Sequence, residues 1–200
     1  TGASADDTVE MLVYDIFSVA DAVSAKDGGT FSGTIAAAGL STSSLGTSNF
    51  RAGVNAGNSI QAGGNYNVTV GDEAGTALTT GDNNTALGYG SLDATTTANN
   101  NTALGFNAGT AITTGTENVF VGGKSGDALT DADYNTVLGY EALTADTLGS
   151  KSTAIGTQTL MSQNFDSAQD THNTAVGYQA GVAVTTGTEN TLIGSLSGDA

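Results

Sequence analysis

Nine residues starting at Asn67 (Asn-Val-Thr-Val-Gly-Asp-Glu-Ala-Gly) return as Asn84-Thr-Ala-Leu-Gly-Tyr-Gly-Ser-Leu and again as Asn101-Thr-Ala-Leu-Gly-Phe-Asn-Ala-Gly. Further copies start at Asn118, Asn135, Ser152, Asn173 and Asn190, so successive starts differ by 17 five times, then 21, then 17. A weaker copy begins at Asn49, 18 residues before the first. Self-similarity at a fixed short period is the mark of a chain that stacks one small unit on the next. The expectation is an all-β, repetitive parallel β-roll or β-solenoid with coils of about 17 residues over residues 49–200.

Each position of the unit carries a reading. The fifth is glycine throughout: Gly71, Gly88, Gly105, Gly122, Gly139, Gly156, Gly177 and Gly194. A glycine in every copy implies positive φ or a backbone approach too close for a Cβ. The fourth is always a branched aliphatic, from Val70 and Leu87 to Ile193, and reads as the core position of a strand. The third, mostly Ala, Val, Phe or Leu, points to the opposite side and also avoids charge. A strand with one wet face alternates apolar and polar residues. Here the expectation is a strand covered twice, by its own coil and by a neighbouring subunit. Residues such as 77–81 and 111–115 read as a second, looser strand, followed by polar turns at 82–83 and 116–117. The first-position asparagines read either as an internal amide ladder or as turn residues in the left-handed region. Ser152 breaks that column just before the 21-residue interval.

Residues 1–27 read as a helical oligomerisation or docking segment. Val9, Leu12, Ile16, Val19 and Val23 are spaced as a heptad seam, with Thr8 placed to cap it. Met11, Val13, Tyr14 and Phe17 widen the apolar face, so an ordinary amphipathic helix remains the alternative. Residues 28–48 read as a connector. The chain opens at Thr1 with no basic or apolar leader, as an internal or processed segment would.

The composition excludes several functions. A net charge of −16, from 4 basic and 20 acidic residues, lacks the footprint that nucleic acid requires. No apolar run has the length of a membrane-spanning helix. The single histidine, His172, has no Cys or His companion and reads as a turn residue rather than a ligand or catalytic base. No nucleophile elbow or phosphate loop is present, and the glycines follow the repeat. The chain is therefore not expected to be an enzyme. No cofactor is expected either. Calcium is the one ion raised by the oxygen-rich corners at 81–84, 115–118 and 187–190, but these carry one acid each. The sixth position holds Tyr89, Phe106, Tyr140 and Tyr178. These rings read as cover for the core edge or, alternatively, as a strip that contacts surface glycans.

The Asn-Thr-Ala-Leu-Gly-Tyr units resemble the Asn-Ser-Val-Ala-Ile-Gly repeat of the YadA-type head of trimeric autotransporter adhesins, a left-handed parallel β-roll of three chains. They are also similar to repeats in tail fibres of phages, although the 17-residue period departs from the shorter head repeat. The resemblance implies a homotrimeric virion fibre, shaft or head, that supports attachment to a host cell. Its partners would be itself, other virion proteins through the N-terminal segment, and host surface glycans. Alternatives are a bacterial surface adhesin head and, from the paired threonines, an ice-binding solenoid.

Overall fold

The computed structural model describes residues 45–199; the helix expected over residues 1–27 and most of the 28–48 connector lie outside the described residues. The described chain is a parallel β-solenoid. Each coil contributes one three-residue strand: β1 (Phe50–Ala52), β2 (Val68–Val70), β3 (Thr85–Leu87), β4 (Thr102–Leu104), β5 (Val119–Val121), β6 (Thr136–Leu138), β8 (Thr153–Ile155), β10 (Thr174–Val176) and β11 (Thr191–Ile193). They form one nine-stranded sheet in chain order, all parallel. The weak first copy therefore joins the sheet as β1. Register follows the repeat, so that Leu87 lies opposite Leu104 and Val121 opposite Leu138. At the parallel inter-strand spacing, nine strands extend about 40 Å along the stacking direction.

The interior is lined by the third position, not the fourth. Ala86, Ala103, Phe120, Val137, Ala154 and Ala175 are buried, whereas Leu87, Leu104 and Leu138 are 42%, 43% and 48% exposed. This reverses the expectation that the fourth-position aliphatics form the core. The reason is the thinness of the coil. Opposite the strand, the twelfth position supplies Leu78, Ile112 and Leu129, all fully buried, and little beyond a methyl group fits between. Where the strand does bring a large ring, glycines make room. A Cβ on Gly109 would lie 2.6 Å from the Phe120 ring, and one on Gly126 would clash with it as well. Where the ninth position is Leu92 or Leu160 instead, the third in the same coil is Ala86 or Ala154. A bulky ninth residue thus goes with alanine in those two coils, whereas Leu143 shares its coil with the mid-sized Val137, both fully buried.

The expected second strand is absent. Residues 77–81 and their equivalents are turns and bends, because left-handed residues at the seventh, ninth and seventeenth positions keep the chain turning. Glu73, Gly75 and Asn83 have φ of 59°, 58° and 59°. Each such segment still sends a backbone bond to the next coil, from Thr79 N to Thr96 O (2.9 Å), Thr96 N to Thr113 O (3.1 Å) and Thr113 N to Thr130 O (3.0 Å). The Thr79 hydroxyl donates to the same Thr96 carbonyl, and Thr96 Oγ1 repeats the bond to Thr113.

The asparagine column is an internal ladder, which decides between the two readings. Asn118 donates through its backbone N and its Nδ2 to Asn101 Oδ1 (3.0 and 3.1 Å) and through Nδ2 to the Ala132 carbonyl (2.7 Å). The rung recurs at Asn67, Asn84, Asn101 and Asn135. Each amide thereby satisfies backbone groups that the coil interior would leave dry. The left-handed residues stand one place earlier, at Asn83, Asn100, Glu117 and Tyr134.

Ser152 cannot extend an amide ladder, and the structure detours around it. Ser152 N still donates to Asn135 Oδ1. Asn173 Nδ2 then donates to Gln163 Oε1 (2.7 Å), and Gln163 Nε2 donates to Asp146 Oδ2 (2.6 Å) and Ser152 Oγ (3.0 Å). Asp146 Oδ1 also accepts from the backbone N of Gly149 and Phe165. Asp146 and Gln163 occupy twelfth positions that are aliphatic at Leu78, Ile112, Leu129 and Val184. The extra residues of this interval form an exposed excursion at 166–170, pinned where β9 (Gln169–Asp170) pairs with β7 (Gly149–Ser150) and where Lys151 meets Asp170.

Candidate interaction surface

The sheet turns its second and fourth positions outward. In the eight coils from Asn67 onward these are Val or Thr at the second position and Val, Leu or Ile at the fourth. No charged residue stands among them. In-register pairing places Val70, Leu87, Leu104, Val121, Leu138, Ile155, Val176 and Ile193 in one unbroken line. A contiguous apolar line of this length is unusual on a chain that works alone in water.

The glycine column makes the corner beyond that line. Gly105 has φ of 143°, and a Cβ on it would stand 2.6 Å from the Gly122 carbonyl oxygen. Both reasons for glycine hold at once here. All eight fifth-position glycines have positive φ, between 123° and 147°.

Past the corner stand the sixth-position rings. Tyr89, Phe106, Tyr140 and Tyr178 are each about half exposed. Tyr89 and Phe106 stack on one another, with centroids 5.8 Å apart and planes 15° apart. Gly123 interrupts the column, and the Tyr140 ring lies beside it, 3.4 Å from where a Cβ would be.

Next to the rings runs a polar column at the seventh position. Gln179 Nε2 donates to Gln158 Oε1 (2.8 Å), and Gln158 Nε2 donates to Glu141 Oε2 (3.0 Å). The hydrogen bond from Gln158, then that from Tyr140, and the charge of Lys124 hold the Glu141 carboxyl below its ordinary value. The same carboxylate, by hydrogen bonding and by its charge, pushes the Tyr140 hydroxyl above its ordinary value. The sequence reading did not single out this column. Its only signal was the run of Glu141, Gln158 and Gln179 at one repeat position.

At the 81–84 corner Asp82 Oδ1 accepts from Asn65 N (2.7 Å). At the 115–118 corner Asn118 Oδ1 accepts from Asn135 N (2.9 Å), and Thr116 donates through N and Oγ1 to Asp133 Oδ1 (2.6 and 3.0 Å). Among the described residues no cluster of three or more His, Cys, Asp or Glu side chains is arranged to hold a metal ion. His172 is exposed, in the left-handed turn before Asn173, with φ of 52°. No protein-family model, curated protein or solved structure matches the chain.

Proposed function

We propose that the chain is the shaft or head of a homotrimeric surface fibre, carried on a virion, that supports attachment to a host cell. The observation that carries this reading is the outward aliphatic line on the sheet. Left in water, it would forfeit the apolar burial that stabilises most folds. A self-complementary cover suits it best. The line has the same chemistry in every coil and carries no charge, so further copies in the same orientation meet it along its whole length. Side chains from three sheets converging on one axis would interdigitate there.

Other features support the same reading. In the sequence, the heptad spacing of Val9, Leu12, Ile16, Val19 and Val23 suits a chain that associates with copies of itself. The economy of Gly, Ala, Thr and Asn suits a repetitive spacer better than a compact enzyme, and the acidic surface keeps such a rod soluble. The resemblance of the Asn-Thr-Ala-Leu-Gly-Tyr units to fibre and adhesin-head repeats points the same way.

Sedimentation equilibrium at micromolar concentration tests the assembly. The expected mass is three times the 19.6 kDa of one chain; a monomer overturns the proposal. Antibody labelling under the electron microscope tests the location. Decoration of particle appendages is expected, and decoration of a bacterial envelope instead would favour the adhesin head.

A further inference from the structure

We infer that the strip formed by Tyr140, Tyr178 and the Glu141–Gln158–Gln179 column is a binding site for an uncharged polysaccharide. The inference deepens the attachment reading above and rests on it. Two coils separate Tyr140 from Tyr178, a distance of about 10 Å along the rod. Thr157, a smaller residue, stands between the two half-exposed rings at the same corner. Sugar rings present a face of C–H groups and an edge of hydroxyls. The first packs on an aromatic ring, the second needs paired donors and acceptors alongside.

The seventh-position column supplies that edge. Gln179, Gln158 and Glu141 are tied in one direction by the bonds from Gln179 to Gln158 and from Gln158 to Glu141. Each bond uses one N–H of an amide that has two, and one oxygen of a carboxylate that has two. The side chains are thus held in place before a ligand arrives, which lowers the ordering cost of binding. Stacking faces and a fixed row of hydroxyl partners meet here on one edge of the rod. The Tyr89–Phe106 pair differs, since those two rings already face one another.

Charge selects the glycan class. The chain carries −16 overall, and a carboxylate stands within the strip itself. Uronate, sialylated or sulfated chains would be repelled, with Lys124 the one cation noted beside Glu141. A neutral hexose or N-acetylhexosamine polymer meets no such barrier.

The test is affinity electrophoresis of the full chain through gels containing a neutral glucan, a neutral galactan, an N-acetylhexosamine polymer, a polyuronate or a sulfated glycan. Retardation by at least one neutral polymer is expected. Tyr140→Ala should weaken it about tenfold, and Gln158→Ala should weaken it in the same direction. Tyr134→Ala, which removes an exposed ring at a different corner, should leave it unchanged. Retardation only by the acidic polymers, retardation by none, or full retardation of Tyr140→Ala overturns the inference. Sedimentation of Tyr140→Ala separates the two readings. If that variant no longer assembles as the wild type does, the ring belongs to the subunit interface and the inference falls. A wild-type chain that is monomeric yet retarded by a neutral polymer removes the trimer and leaves the site.

Discussion

A Cβ on Gly105 would meet the carbonyl carbon of Gly122 at 2.7 Å, one coil away, while the same atom on Gly194 would meet nothing within 4 Å. Both glycines have positive φ, 143° and 124°. The pair therefore separates two costs that usually come together. Gly194→Ala should lose only the backbone penalty, on the order of 1 kcal/mol. Gly105→Ala should lose more, about 1–3 kcal/mol, and Gly105→Val more again. Thermal unfolding of the three variants checks this order. Equal melting of Gly105→Val and the wild type would show that the corner does not need glycine.

Gln163→Leu restores the residue type that most coils carry at the twelfth position, and it should nonetheless destabilise. It removes the donor to buried Asp146 Oδ2 and the acceptor for Asn173 Nδ2. Each buried group left without its partner costs on the order of 1–3 kcal/mol. Chemical denaturation is the measurement. A midpoint at or above that of the wild type would sink the account of the detour at Ser152.

Thr69→Val should stabilise. Thr69 is the polar exception among the third positions of the eight coils from Asn67 onward, fully buried, and its Oγ1 has no hydrogen-bond partner among the described residues. Replacing the hydroxyl by a methyl group of similar size removes an unmet desolvation cost of about 1 kcal/mol or more. The melting temperature should rise by a few degrees; a fall would mean that the hydroxyl is engaged.

Leu104→Glu tests the outward line. The side chain is 43% exposed in one chain, so the solenoid should keep its far-ultraviolet circular dichroism. In the proposed trimer three carboxylates would be brought together and repel, so assembly should be lost. Assembly unaffected by the charge would place the subunit contact on another face.

Glu141 should titrate below 4.5 in the folded chain, and Gln158→Ala should move it back towards that value. A carboxylate held below its unfolded value stabilises the fold at pH above 4.5, and that contribution fades as pH falls through the folded value. NMR titration of the Glu141 side chain reads the shift directly. An unchanged midpoint in Gln158→Ala would mean that the amide does not hold the carboxylate.

The period, the glycine corner and the parallel stacking were legible in the residues because each copy repeats the same local demand. Which face of the strand lies inside was not. Alternation separates Leu104 from Ala103 but does not say which points inward, and size alone favours the larger residue for the core. The deciding partner was Ile112, nine residues on from Ala103, which fills the coil from the other side. The asparagine ladder was legible as one of two readings, since both use the same residue. The detour through Gln163 was signalled by Asp146 and Gln163 standing where aliphatics recur. Its geometry depended on the off-period excursion at 166–170, which no repeat position describes.

Because each regular asparagine rung bonds only within its own coil and to the rungs directly above and below it, a regular coil has no memory of its place in the stack. Deleting or duplicating 17 residues between Asn67 and Asn135 would change no interior contact except the junction itself. Reach then becomes a length that the gain or loss of whole coils can adjust, in steps of about 4.8 Å. The stretch from Asp146 to Asn173 breaks that interchangeability. Its parts fit only each other, so it acts as a fixed landmark from which the length on either side can vary independently.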